Sequence, residues 1–221
     1  DEVVGGTFRG LQLPLGIFTG RHGPHSAAQT KDGRMYITGA LSAKLIMFNP
    51  ANREWKLYKL PRGFLWRKGL YPHTIRKDKD DKIWFTVMAS NMVVKFDPVT
   101  EQFTEIPLPH NGVMRWIADT FMGVILKIAD FFPEKNTHLA LSHHKWMNGG
   151  RGVFNWPYGI DISPKDGGIW YSKLLADKIG HIDPKTLAVT EYATPATGPR
   201  RMRFGPDGML YLGVGDDERD D

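Results

Sequence analysis

The chain has 221 residues, of which 41% are hydrophobic, and its formal net charge is +5 at pH 7. This composition allows a sizeable core and excludes the disordered and collagen-like classes. Because the sequence contains no cysteine, it also excludes disulfides, thiolate metal sites and cysteine nucleophiles. The basic clusters fall at expected turns and are interrupted by acids, which favours a solvated surface over nucleic-acid binding.

The first residue, Asp1, is not a methionine. One interpretation is that a secretory signal has been removed from the chain. We therefore expect a periplasmic or extracellular location, and a cytoplasmic location stays open.

A unit of roughly forty residues recurs along the chain. It opens with an aromatic residue or glycine followed by proline, at Pro24, Pro72, Pro157 and Pro199. An aromatic strand residue lies 12 or 13 positions after each of these prolines. In the first three copies a second proline follows at 26 or 27 positions, and a closing proline at 37 or 38. This shared register indicates a structural repeat.

Each copy contains short apolar runs separated by turn-forming residues. In the first copy the runs predict strands at 25–30, 35–39, 45–49 and 55–60, with a hairpin turn at Lys31-Asp32-Gly33. Four short strands are typical of one blade of a β-propeller. Because a lone blade cannot bury both of its faces, we predict an all-β propeller with blades stacked around an axis.

The outer parts of the sequence carry incomplete copies. Residues 8–14 have the pattern of a last blade strand, and the copy that opens at Gly198 contains only its first two strands. We therefore expect one propeller domain or segment over residues 1–221, with three complete blades and two partial ones. A ring of six or seven blades is favoured, and a four-bladed ring with a composite blade is the alternative.

The repeat is interrupted at residues 110–155, where we predict a helix-containing insertion. Residues 113–132 form an apolar helical stretch that ends before Pro133. One narrow stripe of it is polar or small and consists of Arg115, Asp119, Gly123, Lys127 and Asp130. The stretch is too short and too charged to favour a membrane span. We expect it to pack on the propeller, or else to contact a partner protein or a membrane interface. Of these last two, a partner protein is favoured over a membrane, because the stripe is not strongly basic.

Three histidines, His138, His143 and His144, follow in the tail of the insertion. A metal site is one interpretation of this cluster. An exposed loop is favoured, because no carboxylate flanks the histidines closely.

The residue after each opening proline is expected at the mouth of the propeller axis, where equivalent positions of successive blades converge. These blade-entrance residues are His25, His73, Tyr158 and Arg200. Imidazoles and a phenol can supply a general base, an electrophile and a proton donor, and an arginine can hold an anionic group. The alternative is that these side chains fill the channel or bond to neighbouring loops.

Three of the proline-headed motifs, Gly23-Pro24-His25, Tyr71-Pro72-His73 and Trp156-Pro157-Tyr158, resemble repeats of the streptogramin B lyase (virginiamycin B lyase) family. The likeness extends to residues 83–86 and 178–184 and covers nearly all of the chain outside the insertion. It implies a seven-bladed propeller. It also implies elimination at the ester of a cyclic depsipeptide, in which a base removes a proton next to a carbonyl and magnesium stabilises the enolate.

The family has working histidines at the blade-entrance position of neighbouring blades and a tyrosine at that position on the next blade. The order His25, His73, Tyr158 matches this pattern, so the resemblance implies that these three residues are catalytic. Tyr71, Trp156 and Arg200 are the substrate-binding candidates. The family also has a glutamate four residues after the strand tryptophan, where this chain has Met88. A thioether binds magnesium poorly, so Mg²⁺ is a doubtful cofactor and the metal ligands are left unassigned.

Two classes of function stay open. The first is a lyase-like enzyme with a small-molecule or peptide ligand at the axis. The second is a non-catalytic binding or assembly subunit that docks to a larger complex through residues 113–132. A sugar-lactone or quinone-dependent propeller enzyme is disfavoured, because the sequence shows neither clustered acidic ligands nor a cofactor cage.

Overall fold

The computed structural model describes residues 3–4, 7–8, 22–61, 69–129 and 154–215. Their strands form three four-stranded sheets and two two-stranded sheets, all antiparallel. The first short sheet contains β1 (Val3–Val4) and β2 (Thr7–Phe8). The first complete sheet contains β3 (Pro24–Gln29), β4 (Met35–Gly39), β5 (Lys44–Asn49) and β6 (Glu54–Lys59). Each of these four strands lies within one residue of its predicted bounds.

The second and third complete sheets repeat this arrangement. The second contains β7 (Pro72–Lys77), β8 (Ile83–Val87), β9 (Met92–Asp97) and β10 (Gln102–Pro107), with a short 3-10 helix at Met88–Ser90. The third contains β11 (Pro157–Ile162), β12 (Ile169–Lys173), β13 (Lys178–Ile182) and β14 (Val189–Ala193). The last short sheet contains β15 (Met202–Phe204) and β16 (Leu210–Leu212).

Neighbouring strands in each complete sheet follow one another in the chain, which is the arrangement of a propeller blade. The first strands of successive sheets contact one another, β3 with β7, β7 with β11, and β11 with β15. They therefore lie around a common axis, and the predicted all-β propeller architecture is confirmed.

Apolar side chains from adjacent blades form the core. Between the first two blades, Tyr36 and Leu45 pack in one cluster with Ile75 and Phe85, and all four are fully buried. An equivalent cluster between the second and third blades contains Trp84, Ile160 and Tyr171. The blades are thus held face to face by aromatic and branched side chains, as the repeat predicts.

Each complete blade has an irregularity at the start of its first strand. The pairing register shifts between Pro24 and Ala27, and the second and third blades repeat the shift at the same place. A bulge bends its strand and changes the direction of the side chains within it. Each register shift includes the blade-entrance residue, so it determines the direction in which that side chain points.

The residue before each opening proline has a positive φ, from 50° at Trp156 to 62° at Gly198. Its carbonyl accepts a hydrogen bond from the chain beyond the second strand, as in Met88 N to Tyr71 O at 3.0 Å. Glycine adopts this left-handed region without cost, and an aromatic residue there is strained by about 1 kcal/mol or more. The recurring motif of a glycine or an aromatic residue followed by proline therefore encodes a tight turn that leads into the first strand of each blade.

The insertion contains α1 (Val113–Ala129), which lies between β10 and β11 and begins where the sequence predicts. The predicted continuation to residue 132 and the histidines His138, His143 and His144 lie outside the described residues, as do residues 9–14 of the predicted last blade strand. Among the helices that the structure describes, none is long and apolar enough to cross a membrane.

Candidate site at the blade entrances

Three blade-entrance side chains from consecutive blades meet at the axis. The ring centroids of His25 and His73 are 3.6 Å apart at an interplanar angle of 34°, and those of His73 and Tyr158 are 4.1 Å apart at 49°. The structure therefore brings together the three residues that the sequence singles out as catalytic candidates. His73 is the central member of this group.

A hydroxyl on the second strand of each complete blade fixes the next blade's entrance residue. Thr38 Oγ1 donates to the carbonyl of His73, and the same hydroxyl accepts from Ser26 N–H. The other two links have the same form, Thr86 to Tyr158 O at 2.9 Å and Ser172 to Arg200 O at 2.5 Å. These links hold the backbone of the site from behind. The sequence analysis missed them, although a Thr or Ser two residues after the strand aromatic is a detectable signal.

His73 is only 3% exposed. Its Nδ1 lies 3.2 Å from the carbonyl of Tyr158 and 3.0 Å from Thr74 Oγ1. Because a carbonyl only accepts, Nδ1 carries the proton in the first of these bonds. Burial lowers the pKa of His73 to about 3, the charges on His25 and Arg201 add to this, and the bond to Tyr158 opposes it. His73 is therefore neutral at physiological pH.

His25 differs from His73 in having an unused nitrogen. The residue is half-buried, and its Nδ1 has no hydrogen-bond partner among the described residues. Burial lowers the pKa of His25, the charge on Arg201 lowers it further, and a bond with the backbone of His73 raises it. His25 is thus a neutral imidazole whose Nδ1 is buried and unpartnered among the described residues, and the residue as a whole is more exposed than His73.

Arg201 follows the blade-entrance residue Arg200, and the sequence analysis gave it no part in the site. Its charge acts on both His25 and His73. The blade-entrance residue Arg200 instead places its guanidinium beside Gly215, while its carbonyl accepts from Ser172. The sequence does show arginines at 200, 201 and 203. It does not show which of them points towards the axis, because side chains do not alternate regularly next to an irregular strand.

The aromatic residues before two of the opening prolines form the wall of the site. The ring of Tyr71 lies 6.2 Å from that of His73, and burial raises the pKa of Tyr71. Trp156 is 7% exposed and packs against Phe154 with ring centroids 5.8 Å apart. The indole Nε1 of Trp156 is buried with no hydrogen-bond partner in the part of the chain that the structure describes. Tyr71 therefore borders the histidine pair at His73, whereas Trp156 lies in an apolar cluster that Tyr71 and Tyr158 also border.

Helix α1 packs beside this wall. Its residues Ala118 and Met122 share an apolar cluster with Met88 and Trp156, and Tyr158 borders the same cluster. Met88, at the position where the resemblance implies a glutamate, is 8% exposed and contributes only a thioether. Among the described residues, no group of three His, Asp or Glu side chains could hold a metal. The donor set at this position does not fit magnesium.

Two residues of the polar stripe of α1, Arg115 and Asp119, face the propeller. Asp119 Oδ2 accepts from His110 Nδ1 and from Asn155 Nδ2, both at 2.7 Å, and Arg115 donates to the carbonyl of Leu175. Burial raises the pKa of Asp119, and these bonds oppose the rise. The outward side of the helix carries large apolar residues, which are Val113, Met114, Trp116, Ile117 and Phe121.

Four-stranded blades around an axis define a β-propeller, and the first strands of its blades bring polar side chains together at the blade entrances.

The chain is similar in structure to virginiamycin B lyase from Staphylococcus aureus, with a TM-score of 0.60 and 19% identity over 90% of this chain and 51% of that chain. A catalytically inactive variant of that lyase has been solved with quinupristin. Hydrazine synthase from Kuenenia stuttgartiensis is similar at a TM-score of 0.60 and 16% identity, over 95% of this chain and 46% of that chain. An extracellular domain of a one-component system from B. thetaiotaomicron is similar at a TM-score of 0.56 and 15% identity, over 90% of this chain and 20% of that chain.

No known family profile and no curated protein matches the sequence. At these identities the structural likeness shows the propeller fold alone. The chain spans about half the length of the lyase and hydrazine synthase chains that it resembles.

Proposed function

We propose that the blade-entrance site binds a small molecule or peptide that contains an ester, and that it acts on this ligand as a C–O lyase. One observation carries the proposal: the rings of His25, His73 and Tyr158, from three consecutive blades, lie in contact at the axis. The same order of residues carries the resemblance to the streptogramin B lyases, and the fold supports that resemblance.

His25 is the better base of the two histidines. It is half-buried, whereas His73 is only 3% exposed and its Nδ1 is bonded to Tyr158 O. In the proposed step, His25 takes a proton from the carbon next to a carbonyl. The C–H electron pair forms a C=C bond, the C–O bond breaks, and the ester oxygen leaves as a carboxylate. His73 positions the ring of His25, and Tyr158, whose ring packs on His73, contributes a phenol as a proton donor.

Turnover of quinupristin by the purified protein tests this proposal. Elimination opens the ring without a change in mass, whereas hydrolysis adds one water, so chromatography with mass spectrometry separates the two reactions. We expect a ring-opened product of unchanged mass, and a fall of at least about a hundredfold in His25→Gln. His181→Gln is the matched control, because His181 lies on β13, outside the first strands, and packs against Trp170. Absence of turnover, or equal turnover in His25→Gln, would contradict lyase activity.

The second candidate is a non-catalytic assembly subunit, and it is favoured by the outward face of α1. Val113 is 73% exposed, Met114 64% and Trp116 48%. Such a row of exposed apolar side chains is costly in water and typical of a surface that contacts another protein or a membrane interface. We expect Trp116→Glu to abolish partner co-purification while the chain stays folded, and Lys165→Glu in an exposed turn is the control. Flotation with anionic vesicles tests the membrane alternative.

A periplasmic or extracellular location is part of the proposal. One of the similar structures is itself an extracellular domain. Fractionation of cells that express the native protein would test it, and recovery in the cytoplasm would contradict it.

A further inference from the structure

Successive blades meet through equivalent side chains. The strand aromatic of one blade packs against the first strand of the next, since Tyr36 shares a buried cluster with Ile75 on β7, and Trp84 shares one with Ile160 on β11. We call the face of a blade that carries the strand aromatic its rear face, and the face that receives the next aromatic its front face. Two such contacts therefore show what each kind of face packs against.

The rear face of the β15–β16 sheet is uncovered. Its strand aromatic, Tyr211, is 58% exposed, whereas Tyr36 and Trp84 at the equivalent position are fully buried. Met209, two residues before Tyr211, is 64% exposed. In the two inner contacts this face is covered by the front face of a blade. The exposed aromatic of β16 therefore matches the front face of a further blade.

The front face of the first blade is uncovered along its first strand. Ala27 on β3 is exposed, whereas Ile75, Ile160 and Met202 at the equivalent position of the next three sheets are at most 1% exposed. Ile37, on the neighbouring strand β4, is only half-buried. The molecule thus carries both halves of a blade contact, an open rear face at β15–β16 and an open front face at β3.

We propose that two copies of this chain associate head to tail, with the rear face of β15–β16 of each copy packed on the front face of the first blade of the other. Each copy contributes its three complete blades and the β15–β16 sheet. The closed ring then has eight blade positions, four from each copy, which is within the range of known propellers. A two-fold axis relates the copies, as in most homo-oligomers.

A second copy fits these faces better than self-closure, an unrelated protein or lipid. Within one chain the two faces do not cover each other, because Tyr211 and Ala27 are both exposed. A second copy brings the matching front face, and the contact repeats the geometry of the two inner ones. In this ring His25 of one copy follows Arg200 of the other around the axis, so both copies contribute blade entrances to the axial site. The inference does not depend on lyase chemistry.

The mass of the full chain in solution tests the proposal. Sedimentation velocity and light scattering over a range of concentrations should show a dimer. Tyr211→Lys should weaken dimerisation about tenfold or more, because it places an ammonium group in the apolar contact. Lysine suits this position in the free chain, since Asp207 already accepts from the Tyr211 hydroxyl at 2.7 Å. Ala27→Glu should weaken dimerisation from the opposite face, and the double variant should recover part of the affinity through its opposite charges.

Val99→Lys is the matched control, because Val99 is 83% exposed in the β9–β10 turn, and its dimerisation should be unchanged. Circular dichroism verifies that each variant is folded. A monomer at every concentration overturns the inference, as does an equal loss in Val99→Lys and Tyr211→Lys. A dimer that is lost in Trp116→Glu and kept in Tyr211→Lys also overturns it, because α1 would then be the interface.

Quinupristin turnover is measured on the same samples. A dimer without turnover contradicts only the lyase proposal. Turnover by a protein that is monomeric at every concentration contradicts only this inference.

Discussion

The hydroxyl of Thr38 donates to the backbone carbonyl of His73 at 2.6 Å and so joins the first two blades directly behind the axial site. Thr38 is fully buried, and its oxygen also accepts from Ser26 N–H at 3.2 Å. Replacement of Thr38 by Val keeps the shape but leaves a buried donor and a buried acceptor unsatisfied. We expect Thr38→Val to lower the free energy of unfolding by about 1–3 kcal/mol in urea titrations.

Thr38→Ser is the control for this prediction, because it keeps the hydroxyl and removes only a methyl group. It should cost about 1 kcal/mol through the lost methyl contact. A loss in Thr38→Ser as large as that in Thr38→Val would show that packing, and not the hydrogen bond, joins the blades at this point.

The burial of His73 makes stability depend on pH. Its pKa is about 3 in the folded protein and 6.5 when exposed in the unfolded chain. Between these values the unfolded state binds the proton and the folded state does not, so stability rises with pH and is lost on acidification below about 6.5. From pH 7 to pH 5 this effect alone costs about 2 kcal/mol. His25, whose pKa is also lowered, acts in the same direction.

Urea unfolding of the parent protein and of His73→Gln at pH 7 and pH 5 measures this contribution. Glutamine can still donate to the carbonyl of Tyr158 but does not titrate, so the variant should lose about 2 kcal/mol less than the parent over this range. An equal pH dependence in the two proteins would mean that His73 becomes protonated without opening the fold.

The repeat made much of the site predictable. Proline spacing and alternating apolar runs gave the strands of the blades, because a two-residue period and a turn signal are properties of the local sequence. The convergence of His25, His73 and Tyr158 then followed from topology, since equivalent positions of successive blades meet at the axis. No knowledge of side-chain contacts was needed for this step.

The remainder depended on contacts that no local pattern encodes. The sequence pointed to Arg200 at the fourth blade entrance, and it gave no indication that the charge of the neighbouring Arg201 lowers the pKa of both histidines. The orientation of α1 was equally hidden, because its polar stripe pairs inward through Asp119 with residues 9 and 36 positions away in the chain. A hydropathy pattern assigns apolar residues to the inside, and specific partners override it here.

Asp119 is expected to anchor α1 to the propeller. Asp119→Ala removes one of the two acceptors of the buried Asn155 amide, the other being the carbonyl of His110, and it removes the bond from His110 Nδ1. We expect a stability loss of about 2 kcal/mol and faster amide hydrogen exchange in α1, measured by mass spectrometry on peptides that cover residues 113–122. Asp119→Asn keeps one acceptor oxygen and should retain part of the protection. Unchanged exchange in Asp119→Ala would show that Ala118 and Met122 hold the helix by apolar contact alone.

Lys173 lies between the insertion and the third blade and is fully buried. Its Nζ lies 2.6 Å from Glu191 Oε1, and that carboxylate also accepts from Tyr171 OH and from Asn111 Nδ2. Burial lowers the pKa of Lys173 to about 8, against the opposing effect of Glu191. Lys173→Met would therefore leave a buried carboxylate without its cation.

We expect Lys173→Met to cost about 3–5 kcal/mol of stability, because an unpaired buried charge is much worse than no charge. The double variant Lys173→Met/Glu191→Gln removes both charges and keeps an amide that can bond with Tyr171 and Asn111. It should lose about 1–2 kcal/mol, less than Lys173→Met alone. Urea unfolding of both single variants and the double variant measures this coupling. Additive losses would mean that the two charges are solvated independently of each other.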